Sequence, residues 1–234
     1  MKRKTPFSLI ELIVVFAILA LLVSLLQPSL KSILSSSDNL LCQSQLKQFG
    51  TATRLYTSDY DDYLPISHKM TSDPAWPREL ADYLPLISDI DPNLQLIGTI
   101  FECPSHDFVE KNLDPKYGGY AFNHQYLGWT DVPRLTANSP QFQRQKAHTI
   151  EKPAETIFLG DGINYVQLNA SRSHPYYLKY LYKPSLASQF NFHYGRHQGM
   201  TNMLWSDSSV KLKDWGLFQL NNSGDPDYFF KKIK

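Results

Sequence analysis

A long apolar run near the N-terminus dominates the hydrophobic pattern of the chain. The run extends over twenty residues from Phe7 to Leu26, and only Ser8, Glu11 and Ser24 within it are not apolar. A helix rises about 1.5 Å per residue, so a run of this length reaches about 30 Å, the thickness of the hydrocarbon core of a bilayer. The pattern therefore predicts a membrane-spanning helix.

Helical periodicity continues beyond Pro28 in an amphipathic form. At about 100° per residue, eight apolar side chains share an arc of about 160°, and most polar side chains lie elsewhere. The eight are Leu30, Ile33, Leu34, Leu41, Phe49, Ala52, Leu55 and Tyr56. The pattern reaches Asp59 and stops before Pro65, so we predict one bent helix of about 50 residues starting at Phe7. Gly50 weakens this helix locally by about 1 kcal/mol relative to alanine.

The rest of the chain mixes short β-type patterns with loops. We predict a short helix at 76–84, a strand-like fragment at 100–105, an aromatic strand at 117–123 and a core strand at 156–162. Residues 169–189 are rich in tyrosine. We interpret them as an exposed loop or insertion.

Alternating apolar and polar positions on both sides of Asp207 predict a β-hairpin over 202–213. Ser208 favours a three-residue turn over a two-residue turn, which would need a positive φ. Together with the helix, these strands predict an α+β fold. In this fold a long N-terminal helix packs on a small antiparallel sheet with extended loops.

A basic flank orients the predicted span. Lys2, Arg3 and Lys4 precede the apolar run, and such residues stay on the cytoplasmic side, so the body of the chain would be extracytoplasmic. The run is longer than the about 7–15 apolar residues of a secretory signal and no small-residue cleavage site follows, so we expect it to be retained. The predicted segments are a cytoplasmic leader, a transmembrane half-helix, an amphipathic half-helix and a globular domain. They comprise residues 1–6, 7–27, 28–60 and 61–234.

Composition agrees with one domain outside the membrane. The 234 residues are 42% hydrophobic and 13% aromatic, enough to bury one core. The formal net charge of +1 becomes −2 without residues 1–6, which carry three cations and no acid. This balance does not indicate a nucleic-acid partner.

The chain has two cysteines, Cys42 and Cys103. The predicted topology places both in an oxidising compartment, where pairing is commoner than free thiols, so we predict one disulfide. Closing the loop between Cys42 and Cys103 with this disulfide would stabilise the fold by about 4 kcal/mol in the chain-entropy model. Two buried free thiols are the alternative.

Three carboxylates, Asp59, Asp61 and Asp62, lie close together where the helix is predicted to end. Hard oxygen ligands at such spacing suit Ca²⁺, which makes calcium the one candidate cofactor. The full calcium-loop spacing is absent, and acidic residues that end a helix in a solvated turn are the favoured interpretation.

His197 and Asp207 are candidates for catalysis or metal binding. No nucleophile or further ligand stands at a recognised spacing around them. We therefore predict structural roles, with His197 bonded near the base of the hairpin and Asp207 holding its turn. The chain is accordingly predicted not to be an enzyme; a membrane-anchored hydrolase built on these two residues is an alternative.

Glu11 is the one ionisable residue inside the apolar run. An unpaired charge in a membrane costs at least about 2.5 kcal/mol, and an ionisable group there is a functional candidate. We predict that Glu11 pairs with a cation from another chain.

The residues from Lys2 to Glu11, followed by the apolar helix, resemble the processing and methylation signal of type IV pilins and type II secretion pseudopilins. The resemblance implies cleavage between Pro6 and Phe7 by a prepilin peptidase and methylation of the new N-terminus. It also implies that Glu11 helps incoming subunits join a filament by pairing with the Phe7 amine of a neighbour. Pro6 stands where the family usually has glycine.

Residues 196–211 are similar to the H-X9-DG motif of a large group of prepilin-like proteins. His197 and Asp207 fit this motif, and Ser208 replaces its glycine. The two resemblances imply a pseudopilin-like subunit in the inner membrane, with its globular domain in the periplasm, or in an extracellular filament. Its partners would be other pilin-like subunits, the prepilin peptidase and the inner-membrane assembly platform. A membrane-anchored binding protein for polysaccharide or another extracellular polymer, using the tyrosine-rich residues, is the alternative function.

Overall fold

The computed structural model describes residues 8–67, 75–85, 99–105, 119–123, 126–127, 144–161, 197 and 199–214. Within them the chain forms the helices α1 and α2 and the strands β1 to β4. Their bounds are α1 Leu9–Asp59, α2 Ala75–Ala81, β1 Tyr120–Phe122, β2 Ile157–Asp161, β3 Met200–Trp205 and β4 Val210–Asp214. Short 3₁₀ helices at Ala147–Thr149 and Pro153–Glu155 precede β2.

Helix α1 is one continuous element of 51 residues that includes Pro28, which confirms the predicted single helix. It contributes to two compact units, Met1–Ser37 and Asp38–Lys234. At its C-terminal end the N–H of Asp62 donates to the carbonyl of Thr57 at 2.8 Å, five residues back. Asp61, between them, has a φ of 50°. This is the left-handed arrangement with which many helices end.

The buried face of α1 differs from the predicted one. It is formed by Cys42, Gln45, Leu46, Phe49, Gly50, Ala52, Thr53 and Tyr56. Of the eight predicted apolar positions, Phe49, Ala52 and Tyr56 are buried, whereas the five leucines and isoleucines are about half exposed. The predicted arc therefore lies across the border between a buried and an exposed face.

The four strands form an antiparallel sheet in the order β1-β2-β3-β4. The pairing of β3 with β4, from Met200 opposite Asp214 to Leu204 opposite Val210, confirms the predicted hairpin. The prediction of a strand at 100–105 is wrong, because residues 99–105 form turns. Phe101 and Cys103 are nevertheless buried, so the apolar character of this segment reflects packing and not strand pairing.

One aromatic core joins α1 to the sheet. Phe49 stacks on Phe101 at 5.2 Å between ring centroids and meets Trp76 and Tyr120 edge-on at 5.7 and 5.5 Å. Phe158 and residues of β1 and β3 belong to the same buried cluster. The long helix packed on a small antiparallel sheet is the predicted α+β, pilin-like layout.

The turn between β3 and β4 is the predicted three-residue turn, but it contains a positive φ. The N–H of Trp205 donates to the carbonyl of Ser209, and the N–H of Ser208 donates to the carbonyl of Trp205, both at 2.8 Å. Ser208 has a φ of 68°. The expectation that a three-residue turn would avoid this conformation is wrong, since such turns place their last residue in the left-handed region.

Candidate functional site

The first part of α1 exposes an apolar surface on every side. Between Leu9 and Leu26, fourteen large apolar side chains are exposed by 45–74%. The segment is long and apolar enough to cross a membrane. Each such side chain gains about 1.5–3 kcal/mol when it is buried. Covering this part of the helix with lipid or with other protein chains would therefore be favourable.

The polar groups of this segment have partners in the same chain. Glu11 Oε2 accepts the backbone N–H of Ser8 at 2.9 Å, as in a helix N-terminal capping box. The hydroxyl of Ser24 donates to the carbonyl of Leu21 at 2.8 Å. Glu11 therefore has a same-chain hydrogen-bond partner, and this partner is an uncharged N–H group. The predicted cation from another chain stays a prediction.

A second exposed apolar stripe follows the predicted span. In the second unit it consists of Leu40, Leu41 and Leu55, each at least 49% exposed. At 100° per residue these three positions share an arc of about 100°, centred about 150° away from the buried face of α1. Leu30, Ile33 and Leu34 of the first unit are exposed to a similar degree. Helix α1 thus has one apolar face for its own sheet and another that the described residues leave exposed.

A buried cluster of thiols and imidazole lies where α1, a turn and the start of β3 meet. Cys42 Sγ, Cys103 Sγ and a ring nitrogen of His197 lie within 4.8 Å of one another. His197 Nε2 is 3.7 Å from Cys103 Sγ and 3.1 Å from Asp161 Oδ2. His197 Nδ1 is 3.4 Å from Ser105 Oγ. The cluster therefore combines two sulfur atoms, an imidazole and a carboxylate out of contact with solvent.

Asp161, the last residue of β2, ties this cluster to the sheet. Its Oδ2 atom accepts the N–H of Asn202 in β3 at 2.7 Å and lies beside the His197 ring. The side chains of Asp161 and His197 are both fully buried, so each compensates the other's desolvation. Sequence reasoning missed Asp161; its one signal is an acidic residue at the end of a core strand.

The cluster changes the acidity of its members. Burial alone would lower the pKa of His197, but its hydrogen bonds with Asp161 and Cys103 raise the pKa to about 9. The hydrogen bond with Cys103 lowers the pKa of the Cys42 thiol against the effect of burial. Burial raises the pKa of Tyr120, which also contacts Cys42, well above its usual range. Charge on the imidazole and on Cys42 is therefore stabilised in this pocket.

Both cysteines are thiols in this structure. The chain brings them together, but the predicted disulfide is not confirmed. Both cysteines are buried and reduced, as in the alternative to a disulfide.

Asp207 has a different environment from His197. Its Oδ1 atom accepts both the N–H and the hydroxyl of Ser209, at 2.8 and 2.6 Å, so it holds the β3–β4 turn.

Helix α1 also binds this turn. Arg54 donates from Nε to Ser208 Oγ at 2.8 Å and from Nη2 to the Asp207 carbonyl at 2.6 Å. Lys47 Nζ donates to the Ser208 carbonyl at 2.9 Å.

The three candidate calcium ligands do not converge. Asp59 Oδ2 accepts the hydroxyl of Tyr83 at 2.9 Å, and Asp62 Oδ2 accepts the N–H of His148 at 3.0 Å. Asp61 is exposed at the end of α1. Within the described ranges, the one group of three metal-binding side chains is the cysteine and histidine cluster.

Residues 1–26 match the prokaryotic N-terminal methylation motif. This motif and the long apolar helix that follows it fit a pilin-like protein. No curated protein and no solved structure matches the chain. The match supports a prepilin-like subunit of a type IV pilus or type II secretion system, with pilin subunits and a prepilin peptidase as its general partners. It also supports anchoring in a membrane.

The methylation motif ends where the predicted span ends. The similarity of residues 196–211 to the H-X9-DG motif therefore depends only on His197, Asp207 and their spacing. Pro6 and Phe7, between which the cleavage is predicted, lie outside the described residues. The tyrosine-rich residues 169–189, on which the polymer-binding alternative depends, lie outside them as well.

Proposed function

We propose that the chain is a pseudopilin subunit of a type II secretion or type IV pilus-like filament. The observation that carries this proposal is the methylation motif on residues 1–26, joined to a helix with fourteen exposed apolar side chains. In the membrane, lipid covers these side chains. In a filament, the same helices of neighbouring subunits replace the lipid.

The proposed pathway starts in the inner membrane. Lys2, Arg3 and Lys4 hold the N-terminus in the cytoplasm, and the globular domain lies in the periplasm. The prepilin peptidase then cuts between Pro6 and Phe7, and the assembly platform extracts the subunit into a filament that is periplasmic or extracellular. This function requires no catalysis by the chain itself.

The second exposed stripe supports helix packing between subunits outside the lipid. Leu40, Leu41 and Leu55 are exposed by 49–66% on a helix whose other apolar face already covers the sheet. Single exposed leucines are common, but these three share one side of the helix. A neighbouring helix in the filament would bury this stripe.

Glu11 gives the assembly its register in this proposal. The hydrogen bond that Glu11 accepts comes from the uncharged backbone N–H of Ser8, which supplies no opposite charge. Cleavage creates a positive amine at Phe7, and pairing it with Glu11 of an adjacent subunit would compensate two charges that are costly in an apolar surrounding.

The proposal is tested by mapping the mature N-terminus of the chain extracted from membranes of its native host. The expected N-terminus is methylated Phe7, and an intact Met1 would overturn processing. Pro6→Gly restores the usual family residue and should be cleaved at least as completely as the native chain. Imaging of cells with and without the chain then separates a filament subunit from a permanently anchored monomer that binds a polymer.

A further inference from the structure

We propose that Cys42, Cys103 and His197 form a structural zinc site that fastens α1 to the sheet. This inference is independent of filament assembly, because it concerns only the buried cluster of the globular domain. The three residues come from α1, the 99–105 turn and the residue that pairs with the first residue of β3. A metal ion bound to all three would cross-link segments that are distant in sequence.

The ligand atoms have separations that suit tetrahedral zinc. Zinc bonds to sulfur at about 2.3 Å and to nitrogen at about 2.0–2.1 Å, which places a sulfur and a nitrogen ligand about 3.6 Å apart. The distance from Cys103 Sγ to His197 Nε2 is 3.7 Å, and Cys42 Sγ lies within 4.8 Å of Cys103 Sγ and of a ring nitrogen of His197. Small side-chain adjustments complete this geometry.

Two neighbouring groups prepare the imidazole for this role. Ser105 Oγ lies 3.4 Å from Nδ1, whereas Cys103 Sγ contacts the other ring nitrogen, Nε2. A hydrogen bond at the second nitrogen commonly fixes the orientation of a metal-binding histidine. Asp161 Oδ2 lies 3.1 Å from Nε2, so this carboxylate faces the fourth coordination position once the proton shared between the two atoms has left. The carboxylate fills it directly or through a water molecule.

The donor set selects a borderline or soft metal ion. Two thiolates and an imidazole suit Zn²⁺, whereas Ca²⁺ and Mg²⁺ take oxygen ligands. Binding replaces the two thiol protons and any proton on Nε2, which leave to solvent, and no electron is transferred. The two thiolate charges balance the charge of the ion. With Asp161 as the fourth ligand the site keeps one negative charge, which the N–H of Asn202 stabilises by donating to Oδ2.

The zinc site and a disulfide exclude each other because they use the same sulfur atoms. A disulfide requires the two sulfur atoms to approach to about 2.05 Å and gives the imidazole no part in the bond. The observed group includes the imidazole together with both sulfurs. Zinc accounts for all three buried side chains, and a disulfide accounts for two.

The test uses the full chain, purified in detergent without chelator or added reductant. Metal analysis is expected to give one zinc per chain, and denaturation with a chelator should release two thiols that alkylate. A chain without zinc whose intact mass is lower by two hydrogens carries the disulfide, and this result would overturn the proposal.

Cobalt replacement reports on the ligands without relying on variants that fold poorly. Co²⁺ added to the native apo-chain should give thiolate-to-cobalt charge transfer and the intense visible bands of tetrahedral coordination. Cys42→Ser and His197→Gln should each change these bands, whereas His148→Gln, which alters an exposed histidine beside Asp62, should not. A native chain without these bands, or His197→Gln with unchanged bands, contradicts the proposed ligand set.

Discussion

Arg54 of α1 donates from Nε to Ser208 Oγ at 2.8 Å, and this bond joins the long helix to the turn of the β3–β4 hairpin. Lys47, two turns earlier on the helix, donates to the carbonyl of the same serine. Gly50 lies between these two positions, and a Cβ on it would stand 3.0 Å from Ser208 Cβ. The missing side chain at Gly50 therefore lets the turn approach the helix closely enough for both cations to reach it.

Ser208 combines a left-handed backbone conformation, which glycine adopts without strain, with a hydrogen bond from Arg54 of the helix. Ser208→Ala loses the Arg54 bond but keeps the left-handed φ of 68°, so we expect a loss of stability of about 1 kcal/mol. Ser208→Gly loses the same bond but relieves about 1–2 kcal/mol of left-handed strain. It should stay within about 0.5 kcal/mol of the native chain, because glycine also adds entropy to the unfolded state. Urea unfolding followed by tryptophan fluorescence measures both, and a glycine variant weaker than the alanine variant would contradict this account.

The close approach at Gly50 predicts an energetic coupling with Ser208. An alanine Cβ at position 50 would meet Ser208 Cβ at 3.0 Å and Leu204 Cδ1 at 3.1 Å. Ser208→Gly removes the first of these contacts, so Gly50→Ala should cost about 0.5–1 kcal/mol less in that background than in the native one. A double-mutant cycle on unfolding free energies measures this difference. If the effects of the two substitutions on the free energy of unfolding are additive, positions 50 and 208 are not in steric contact.

The hydrogen bonds of Asp207 in the hairpin turn should make the stability of the fold depend on pH. Burial opposes its ionisation, but the hydrogen bonds from Ser209 and the charge of Lys211 outweigh burial and lower its pKa. A carboxyl group with a lowered folded pKa stabilises the fold above its unfolded pKa of about 3.9, and this contribution is lost as the pH falls through the folded value. Asp207→Asn should therefore be less stable than the native chain at pH 7, by about 1 kcal/mol, and the difference should shrink below about pH 3. Unfolding at both pH values tests this, with Asp82→Asn at an exposed aspartate as the control.

Sequence periodicity predicted α1 and the hairpin because their patterns are long or are joined by a local turn. It failed to separate the two apolar faces of α1, since Leu41 and Phe49 are equally apolar and only tertiary packing decides which one is buried. The sequence could not predict Asp161 as the partner of His197, because the pairing of β2 with β3 brings these two residues together. The apolar fragment at 100–105 packs as a turn because Phe101 stacks on Phe49 of the helix. Local patterns thus predicted the elements, and long-range contacts determined the cluster.

Matched leucine substitutions on the two apolar faces of α1 should affect different properties, the stability of the domain in one case and the yield of filaments in the other. Leu46 is fully buried, so Leu46→Ala should destabilise the globular domain by about 2–5 kcal/mol. Leu41 is 49% exposed, so Leu41→Ala should change the stability of the isolated subunit by less than about 0.5 kcal/mol. In the proposed filament Leu41 is buried, so this variant should reduce the yield of filaments from a stable subunit. Normal filament yield from Leu41→Ala would remove the exposed stripe from the assembly interface.

Glu11 has two roles that a pair of substitutions can separate. Its carboxylate accepts the Ser8 N–H at 2.9 Å, and its charge is proposed to pair with the Phe7 amine of a neighbour. Glu11→Gln keeps an oxygen that accepts this hydrogen bond and removes the charge, whereas Glu11→Ala removes both. We expect both variants to be processed and retained in the membrane but to give few or no filaments, as measured by cross-linking and imaging.

The matched control is Ser24→Ala, which removes the other short hydrogen bond of the same apolar segment, from the Ser24 hydroxyl to the Leu21 carbonyl. Because this change alters no charge, filament yield should stay normal. If Glu11→Gln also assembles normally while Glu11→Ala does not, the carboxylate acts by capping its own helix and the pairing between subunits is rejected. If Glu11→Gln fails to assemble while Ser24→Ala assembles normally, the lost charge is the reason, since the oxygen that caps the helix is still in place.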